Sequence, residues 1–278
     1  MGGDGPNYDW TETKGRYWVA EQARYDRMLG PFGEAVIATL DPLPGGRAVD
    51  VGCGTGAFTV QVAERVVPGG SVVGLDVSPP MLDAARARPP AAGGTEVRFV
   101  EADVERGVPV SAADLAVSRF GVMFFGDPVT AFTHLAGALR PGGRVAFACW
   151  QALDRQPFRR VAIDVLARHT GVGIAPPPDG PGPYALADPD RITAVLGGAG
   201  LRDVRLDDVE ADVWLGSDPA DAIEAMATSE SLSAWTARLD EAGAARAWAE
   251  VRARLADRAG DGEVALPGRV WVVTARRP

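Results

Sequence analysis

The residues whose types and spacing favour chemistry lie in one glycine-rich stretch and in the acids that follow it. Residues 48–57 read AVDVGCGTGA, a short apolar run that turns on three glycines and leads into a second apolar segment. Glycine adopts backbone angles that other residues resist, and it lets a ligand approach the main chain closely. The first N–H groups of a following helix lack intrahelical partners and can bind a polar ligand. The pattern predicts a strand, a tight loop and a helix that together hold a small polar molecule.

Two cofactors fit such a loop. Gly52, Gly54 and Ala57 match the G-x-G-x-x-G/A pattern of dinucleotide-binding proteins. Asp76 ends the next apolar run about twenty residues on, where a ribose-binding acid belongs. An NAD-dependent oxidoreductase would carry this pattern, which is a weak signal alone. The chain has no Tyr-x-x-x-Lys pair, and Lys14 is its single lysine.

A longer series of motifs resembles the class I S-adenosylmethionine (SAM)-dependent methyltransferases. Residues 49–56, VDVGCGTG, resemble their first motif, which has an acid two residues before its first glycine. Residues 74–82, GLDVSPPML, resemble their second strand and the helix after it. The EAD at 101–103 resembles their third acidic corner, and the LRPGGR at 139–144 resembles the turn before their fifth strand. The resemblance covers about residues 45–150.

This resemblance implies a fold and a domain organisation. The fold is α/β and Rossmann-like, with a doubly wound, mostly parallel seven-stranded sheet, an antiparallel last strand and helical insertions. The chain would be a single methyltransferase domain. Its expected parts are N-terminal lid helices at 14–44, a SAM-binding core at 45–150, cap insertions at 151–200 and 214–262, and a last strand at 268–276.

The resemblance also implies SAM as cofactor, S-adenosylhomocysteine (SAH) as product, and roles for single residues. Asp76 would accept hydrogen bonds from the ribose hydroxyls, Met81 would lie against the adenine, and Asp103 would bind the adenine amino group. Arg119 could pair with the carboxylate of SAM or with an acidic substrate. Structural alternatives stay open for each, namely a helix cap for Asp76, a core position for Met81, a loop acid for Asp103 and a surface salt bridge for Arg119. The expected cofactor-binding set is Asp50, Gly52, Cys53, Gly54, Gly56, Asp76, Val77, Met81, Ala102, Asp103, Val104, Ser118 and Arg119.

Aromatic and apolar residues outside these motifs are the candidates for the substrate pocket. The region from Tyr17 to Leu40 reads as helical, with a break predicted at Gly30-Pro31, and could cover the pocket or pack on the flank of the fold. The proline-rich stretch at 175–184 could rim the site. The candidate substrate residues are Tyr17, Trp18, Phe120, Met123, Trp150 and Tyr184.

Few residues need be dedicated to methyl transfer, because the methyl group of SAM is already activated. A base is required only if the acceptor must lose a proton. His134 lies within a predicted helix and is expected to be structural or exposed, so no catalytic residue is predicted. Cys53 and Cys149 lie outside any metal-binding spacing, so no metal is expected.

Composition narrows the class of protein. The 278 residues carry 28 basic and 37 acidic side chains, a formal net charge of -9, which disfavours a nucleic-acid substrate. The sequence has no long apolar run and a polar, acidic N-terminus, so neither a membrane span nor a signal peptide is expected. The cytoplasm is the expected compartment. A composition rich in Ala, Arg, Gly and Pro suggests a bacterial source. It does not indicate the oligomeric state.

These observations predict SAM-dependent methyl transfer to the O, N or C atom of a small molecule. Within the class, the chain is similar to ubiquinone/menaquinone C-methyltransferases and to their relatives in bacterial secondary metabolism. A modified peptide is an alternative acceptor. A SAM-binding protein that transfers no methyl group is an alternative function, because its binding motifs would look the same.

Overall fold

The computed structural model describes residues 9–41, 43–89, 92–174, 180–259 and 262–278. Within these ranges the chain forms seven strands and ten α-helices. The strands are β1 (Arg47–Val51), β2 (Ser71–Asp76), β3 (Glu96–Glu101), β4 (Ala113–Arg119), β5 (Leu139–Trp150), β6 (Arg202–Gly216) and β7 (Val264–Arg276). The helices are α1 (Thr13–Ala20), α2 (Gln22–Ala38), α3 (Ala57–Ala63), α4 (Pro79–Arg86), α5 (Pro128–Ala138), α6 (Pro157–Thr170), α7 (Pro189–Gly198), α8 (Pro219–Thr228), α9 (Glu230–Thr236) and α10 (Glu241–Ala256).

The strands form one sheet in the order β3-β2-β1-β4-β5-β7-β6. Neighbours among β1 to β5 are parallel, and β7 runs antiparallel to β5. The strand order reverses between β1 and β4, so a crevice opens where their carboxyl ends diverge, and open α/β sheets bind ligands there. The predicted fold, a Rossmann-like and mostly parallel seven-stranded sheet with an antiparallel last strand, is confirmed.

The central strands are apolar because they are covered on both faces. In β1 every residue after Arg47 is buried, and in β2 every residue after Ser71 is buried. Parallel strands of this kind read as continuous apolar runs rather than as alternating ones. This burial places Asp50 inside the core and Asp76 at the carboxyl end of β2.

The chain groups into two compact units. The first comprises residues 1–151, 179–209 and 270–278, and the second comprises 152–178 and 210–269. The second unit contains much of the sequence expected to form cap insertions, whereas residues 179–200 group with the first unit. The expectation of a single methyltransferase domain stays a prediction.

The N-terminal helical region breaks at a different place from the one predicted. The expected break at Gly30-Pro31 is wrong, because α2 runs through Pro31 and the break lies at Glu21, between α1 and α2. A proline inside a helix costs about 3 kcal/mol. Leu29, Phe32 and Val36 are buried on one face of α2, and each contributes about 1.5–3 kcal/mol. Packing therefore outweighs the local penalty.

Helices α9 and α10 are separate helices. The Asp240 side chain caps α10 by accepting a hydrogen bond from the Gly243 N–H at 2.7 Å. Residues 175–179 of the proline-rich stretch and the residues before residue 9 lie outside the described residues.

None of the helices in the described ranges has the length and hydropathy that a membrane span requires.

Candidate active site

A cavity of about 310 Å³ lies at the carboxyl ends of β1, β2, β3 and β4. Its lining combines loop glycines, three acids, one arginine and several aromatic side chains. The lining residues are Trp10, Trp18, Val51, Gly52, Gly54, Asp76, Val77, Met81, Ala102, Asp103, Val104, Glu105, Arg119, Phe120, Gly121, Phe124 and Phe125. Most of the predicted cofactor-binding residues are therefore brought to one cavity.

The loop after β1 requires glycine at its first position. Gly52 has a φ of +64°, and a Cβ atom there would stand 2.8 Å from the Cα of Gly121. The Ser118 hydroxyl donates a hydrogen bond to the Val51 carbonyl at 2.7 Å and accepts one from the Gly121 N–H at 3.1 Å. Ser118 does not line the cavity, but it joins the ends of β1 and β4 so that two backbones can meet without side chains between them.

Asp76 ties the glycine loop to the start of α4. One carboxylate oxygen accepts a hydrogen bond from the Gly54 N–H at 2.8 Å, and the other accepts one from the Ser78 N–H at 2.9 Å. Burial raises the pKa of Asp76, and the hydrogen bonds from Gly54 and Ser78 oppose that rise. A carboxylate offers about four lone-pair directions. The structural role at the helix start is thus present, and acceptor capacity remains toward the cavity that Asp76 lines.

Asp50 lies beneath the loop and not in the cavity lining. It is fully buried, and one of its oxygens accepts a hydrogen bond from the Thr59 hydroxyl at 2.6 Å. Its other oxygen, Oδ1, has no hydrogen-bond partner within the part of the chain that the structure describes. Burial raises the pKa of Asp50 to about 7, against the lowering effects of Thr59 and Arg119. Asp50 is placed to fix the loop to α3, and its predicted contact with the cofactor stays a prediction.

The end of the cavity near β2 and β3 carries the remaining predicted polar residues. One carboxylate oxygen of Asp103 accepts a hydrogen bond from the Glu105 N–H at 3.0 Å. The other oxygen lies 3.3 Å from the Nε atom of Arg106. Glu105 accepts hydrogen bonds from the N–H groups of Gly126 and Asp127 at 2.8 and 2.7 Å. Val77 and Met81 supply apolar surface at the same end. This combination suits a nucleoside, with a flat apolar ring and polar edges.

Arg119 is a partly buried cation beside the glycine loop. Its guanidinium carbon lies 5.9 Å from the centre of the Phe58 ring, in the first turn of α3. Within the described ranges it makes no ion pair or hydrogen bond, so the surface salt bridge is not seen. Burial lowers the pKa of Arg119, while the charges of Asp26 and Asp50 raise it. Because arginine stays protonated in proteins, the site holds a positive charge available to an anion.

The other end of the cavity is aromatic, and sequence reasoning missed one of its members. Trp10 lies edge-on to Phe124, with ring centres 5.0 Å apart, and edge-on to Trp18 at 5.8 Å. Trp18 stacks on Tyr25 at 3.7 Å. The sequence around Trp10 is polar, so no pocket residue is predicted there. A tryptophan among polar residues is costly to expose, and that was the available signal.

Several predicted residues lie outside the lining. Trp150 is buried, stacks on Phe120 at 4.4 Å, and donates its backbone N–H to the Met123 sulfur at 3.4 Å. Tyr17 is 39% exposed. The predicted residues that do not line the cavity are Asp50, Cys53, Gly56 and Ser118 from the cofactor-binding set, and Tyr17, Met123, Trp150 and Tyr184 from the substrate set. Their direct contact with a ligand stays a prediction.

The histidines do not supply a base to this cavity. The Nδ1 atom of His134 lies 2.8 Å from the Val104 carbonyl, as its expected structural role requires. His169 belongs to the second unit, where it pairs with Glu250 at 3.1 Å. Among the described residues, no group of histidine, cysteine, aspartate or glutamate side chains could hold a metal ion.

The lining fits SAM on structural grounds. An open glycine backbone, a buried acid bonded to the loop, and the cation of Arg119, which makes no ion pair within the described residues, lie around one cavity. Comparison with known protein families agrees, because residues 48–143 match the methyltransferase domain family.

Curated relatives share the same region. Aklanonic acid methyltransferase DauC of Streptomyces sp. is 34% identical over 128 residues, which are 44% of this chain and 58% of that protein. Demethylmenaquinone methyltransferase of Thermus thermophilus is 42% identical over 132 residues, which are 44% of this chain and 59% of that protein. Trans-aconitate 2-methyltransferase of Methylobacterium radiotolerans is 34% identical over 171 residues, 60% of this chain and 59% of that protein. The chain thus spans less than two thirds of the length of these relatives.

Solved structures agree on the fold. A phosphoethanolamine N-methyltransferase of Haemonchus contortus, in complex with phosphomonomethylethanolamine and SAH, matches with a TM-score of 0.56 at 16% identity, over 95% of this chain and 58% of that one. A putative methyltransferase of Bacillus halodurans matches with a TM-score of 0.54 at 17% identity, over 88% of this chain and 98% of that one. The resemblance to the class I SAM-dependent methyltransferases, and SAM as the cofactor that it implies, are confirmed. The region at residues 48–143 is thus similar to the methyltransferase domain family, and the chain shares the fold of the solved methyltransferases.

Proposed function

We propose that the protein transfers a methyl group from SAM to a small-molecule acceptor. One observation carries the proposal. The glycine loop, the buried carboxylate of Asp76 and the cation of Arg119 line the same cavity, at the sheet edge where this fold binds ligands.

Each part of the cofactor has a group in the lining to hold it. The oxygens of Asp76 have lone pairs left for the ribose hydroxyls, Met81 and Val77 provide an apolar surface for the adenine, and Asp103 lies at its edge. Arg119 would hold the carboxylate of the amino-acid end, because it lies over Phe58 in the first turn of α3, next to the glycine loop. Charge-assisted hydrogen bonds of this kind are about twice as strong as neutral ones.

The residues of this chain would align the acceptor and exclude water. When bound, SAM supplies a methyl group on a positively charged sulfur, which is ready for direct displacement. Orientation alone can contribute an effective molarity of about 10⁵ M or more. Within the described part of the chain no histidine lines the cavity, and the acids Asp76, Asp103 and Glu105 already accept backbone N–H groups. The chemistry therefore favours an acceptor that is nucleophilic without a protein base, such as a carboxylate, a phenolate or a stabilised carbanion.

The relatives support a small molecule as acceptor. Their names refer to aklanonic acid, nocamycin, trans-aconitate and demethylmenaquinone. We place the protein with bacterial enzymes of secondary or quinone-type metabolism, acting in the cytoplasm on a free small molecule. The net charge of -9 disfavours a nucleic-acid acceptor.

Calorimetric titration of the ligand-stripped protein with SAM, SAH and NADH tests the proposal. SAM and SAH should bind and NADH should not. Arg119→Gln should lower the affinity for both SAM and SAH by about 10-fold or more, because hydrogen bonds to charged groups contribute about 1.5–3 kcal/mol. Arg205→Gln, which removes an exposed arginine on β6, is the matched control and should change nothing. Binding of NADH alone would overturn the proposal, and unchanged affinity in Arg119→Gln would remove Arg119 from the site.

A further inference from the structure

The cavity has two ends of different chemistry. Aromatic side chains make up five of its seventeen lining residues, whereas they are 7% of the whole chain. All five come from the N-terminal segment, as Trp10 and Trp18, or from the segment after β4, as Phe120, Phe124 and Phe125. The acids come from β2 and from the loop after β3. The aromatic rings thus come from two segments other than those that supply the acids.

Phe120 is held in a backbone conformation that bulky residues rarely adopt. Its φ is +67°, in the left-handed region. Its N–H donates a hydrogen bond to the Ala148 carbonyl at 3.1 Å, and the next N–H, that of Gly121, is held by Ser118. Unfavourable backbone geometry that the surroundings enforce is typical of ligand-binding sites. Here the conformation fixes the position of one aromatic ring.

The neighbours of Phe120 keep that ring in place. The ring stacks on Trp150 with centres 4.4 Å apart and planes inclined by 17°. Phe32 meets Phe120 edge-on at 5.7 Å and Trp150 edge-on at 5.0 Å. Because Trp150 covers one face of Phe120 and the residue lines the cavity, the Phe120 ring is fixed beside the cavity. Phe124 and Trp10, in edge-to-face contact, extend the aromatic lining.

From these observations, and on the basis of the proposed function, we propose that the acceptor is a planar, conjugated molecule and that Phe120 and Phe124 select it. Stacked and edge-to-face aromatic contacts add to the energy of simple apolar burial only when both partners are flat rings. A saturated acceptor of the same size would lose that contribution.

The same rings could serve the cofactor instead. A positively charged sulfur is attracted to the face of an aromatic ring. If the aromatic end served only that purpose, removing a ring would weaken SAM and leave acceptor preference unchanged. SAH lacks the positive charge, so a comparison of SAM with SAH separates the two roles.

The test uses the full chain saturated with SAH and two matched probes. These are naphthalene-2-carboxylate, which is planar, and decahydronaphthalene-2-carboxylate, which has the same charge and carbon skeleton but no aromatic ring. Their affinities are measured by calorimetry. The planar probe should bind at least about fivefold more tightly, as expected for one or two added aromatic contacts.

Variants assign the preference to the rings. Phe120→Leu and, independently, Phe124→Leu should bring the two probes to within about twofold of each other, while SAM and SAH affinities stay within twofold of wild type. Phe120→Tyr retains the ring and should keep the preference. Phe158→Leu removes a buried phenylalanine of α6, in the second unit, and is the control for lost packing. If Phe120→Leu does not fold, Phe124→Leu carries the test.

Each outcome decides between the interpretations. Loss of the planar preference in either leucine variant supports the proposal. The proposal is wrong if the wild-type protein binds SAH but shows no preference for the planar probe. It is also wrong if both leucine variants keep that preference. In either case the proposed function stands. The proposal is also wrong if the leucine variants bind SAM more weakly but keep wild-type SAH affinity and the wild-type preference for the planar probe. A protein that does not bind SAH at all would instead refute the proposed function.

Discussion

The nucleoside end and the aromatic end of the cavity are built in different ways. The nucleoside end is made of backbone and short side chains, and its parts are tied together by hydrogen bonds such as those from Gly54 and Ser78 to Asp76. The aromatic end is made of large side chains from separate segments, joined by ring contacts such as Trp10 on Phe124. The first has strict local requirements, and the second depends on tertiary packing.

This difference explains how one fold can bind a constant cofactor and a variable acceptor. Hydrogen-bond geometry and positive φ angles tolerate few residue types, so the nucleoside end constrains the sequence tightly. Aromatic surfaces can be rearranged by exchanging side chains on loops and terminal helices. Substitutions at the two ends should therefore fail in different ways.

The largest effect is expected at Gly52. Gly52→Ala places a Cβ atom 2.8 Å from the Cα of Gly121, at a φ of +64°. Left-handed backbone alone costs about 1–2 kcal/mol for alanine, and the backbone contact adds to it. We expect a loss of at least about 2 kcal/mol in the free energy of unfolding, and no SAM binding measurable by calorimetry. Gly137→Ala, in α5 with open space around it, should be neutral or stabilising by up to about 1 kcal/mol. Wild-type affinity in Gly52→Ala would contradict this account of the loop.

A second effect, on stability rather than on SAM binding, should appear as a pH dependence caused by Asp50. Its pKa is raised from 3.8 to about 7 in the folded protein. The unfolded chain therefore releases this proton at lower pH than the folded chain does, and stability falls as pH rises from about 4 to about 7. The full effect is about 4 kcal/mol, at 1.36 kcal/mol for each pKa unit. Asp50→Asn should flatten this slope in urea unfolding between about pH 4 and pH 7. The pKa of Asp76 is raised in the same direction, so part of the slope will remain. An unchanged slope would show that Asp50 is ionised in the core.

A third substitution acts on the support of the aromatic end. Gly15 of α1 packs so closely that a Cβ atom would lie 2.3 Å from the Ser78 hydroxyl oxygen and 2.4 Å from the Trp10 carbonyl. Gly15→Ala should displace α1 together with Trp10, at a cost of about 1–3 kcal/mol for overpacking. The expected result is a shifted tryptophan emission maximum and weaker binding of a planar acceptor. Gly197→Ala in α7, with no neighbouring atom within 4 Å, is the control. An unchanged spectrum would mean that α1 does not fix Trp10.

The nucleoside end could be predicted from the sequence because its requirements are local. Gly52, Gly54 and Asp76 occur in one short stretch of strand, loop and helix, and the topology of a parallel sheet brings their neighbours to the same edge. Asp50 shows the limit of this reasoning, because an acid next to a binding loop can support it from within the core. Burial decides between the two roles, and burial is a property of the whole fold.

The aromatic end could be predicted only in part because it is assembled by tertiary contacts. Trp18 and Phe120 were expected there, whereas Trp10 was missed and Trp150 was expected to face the cavity but packs behind Phe120. Local patterns do not show which face of a ring is covered. The break predicted at Pro31 failed for the same reason, because the buried face of α2 overrides the local preference.

The most direct test of the two-ended cavity compares SAH affinity in Asp76→Asn and Phe124→Leu by calorimetry on folded protein. Asp76→Asn should weaken SAH by about 10-fold or more, because it removes a charged acceptor from the nucleoside end. Phe124→Leu should bind SAH within about twofold of wild type. If Phe124→Leu loses as much SAH affinity as Asp76→Asn, the two ends are not functionally separate and the account is wrong.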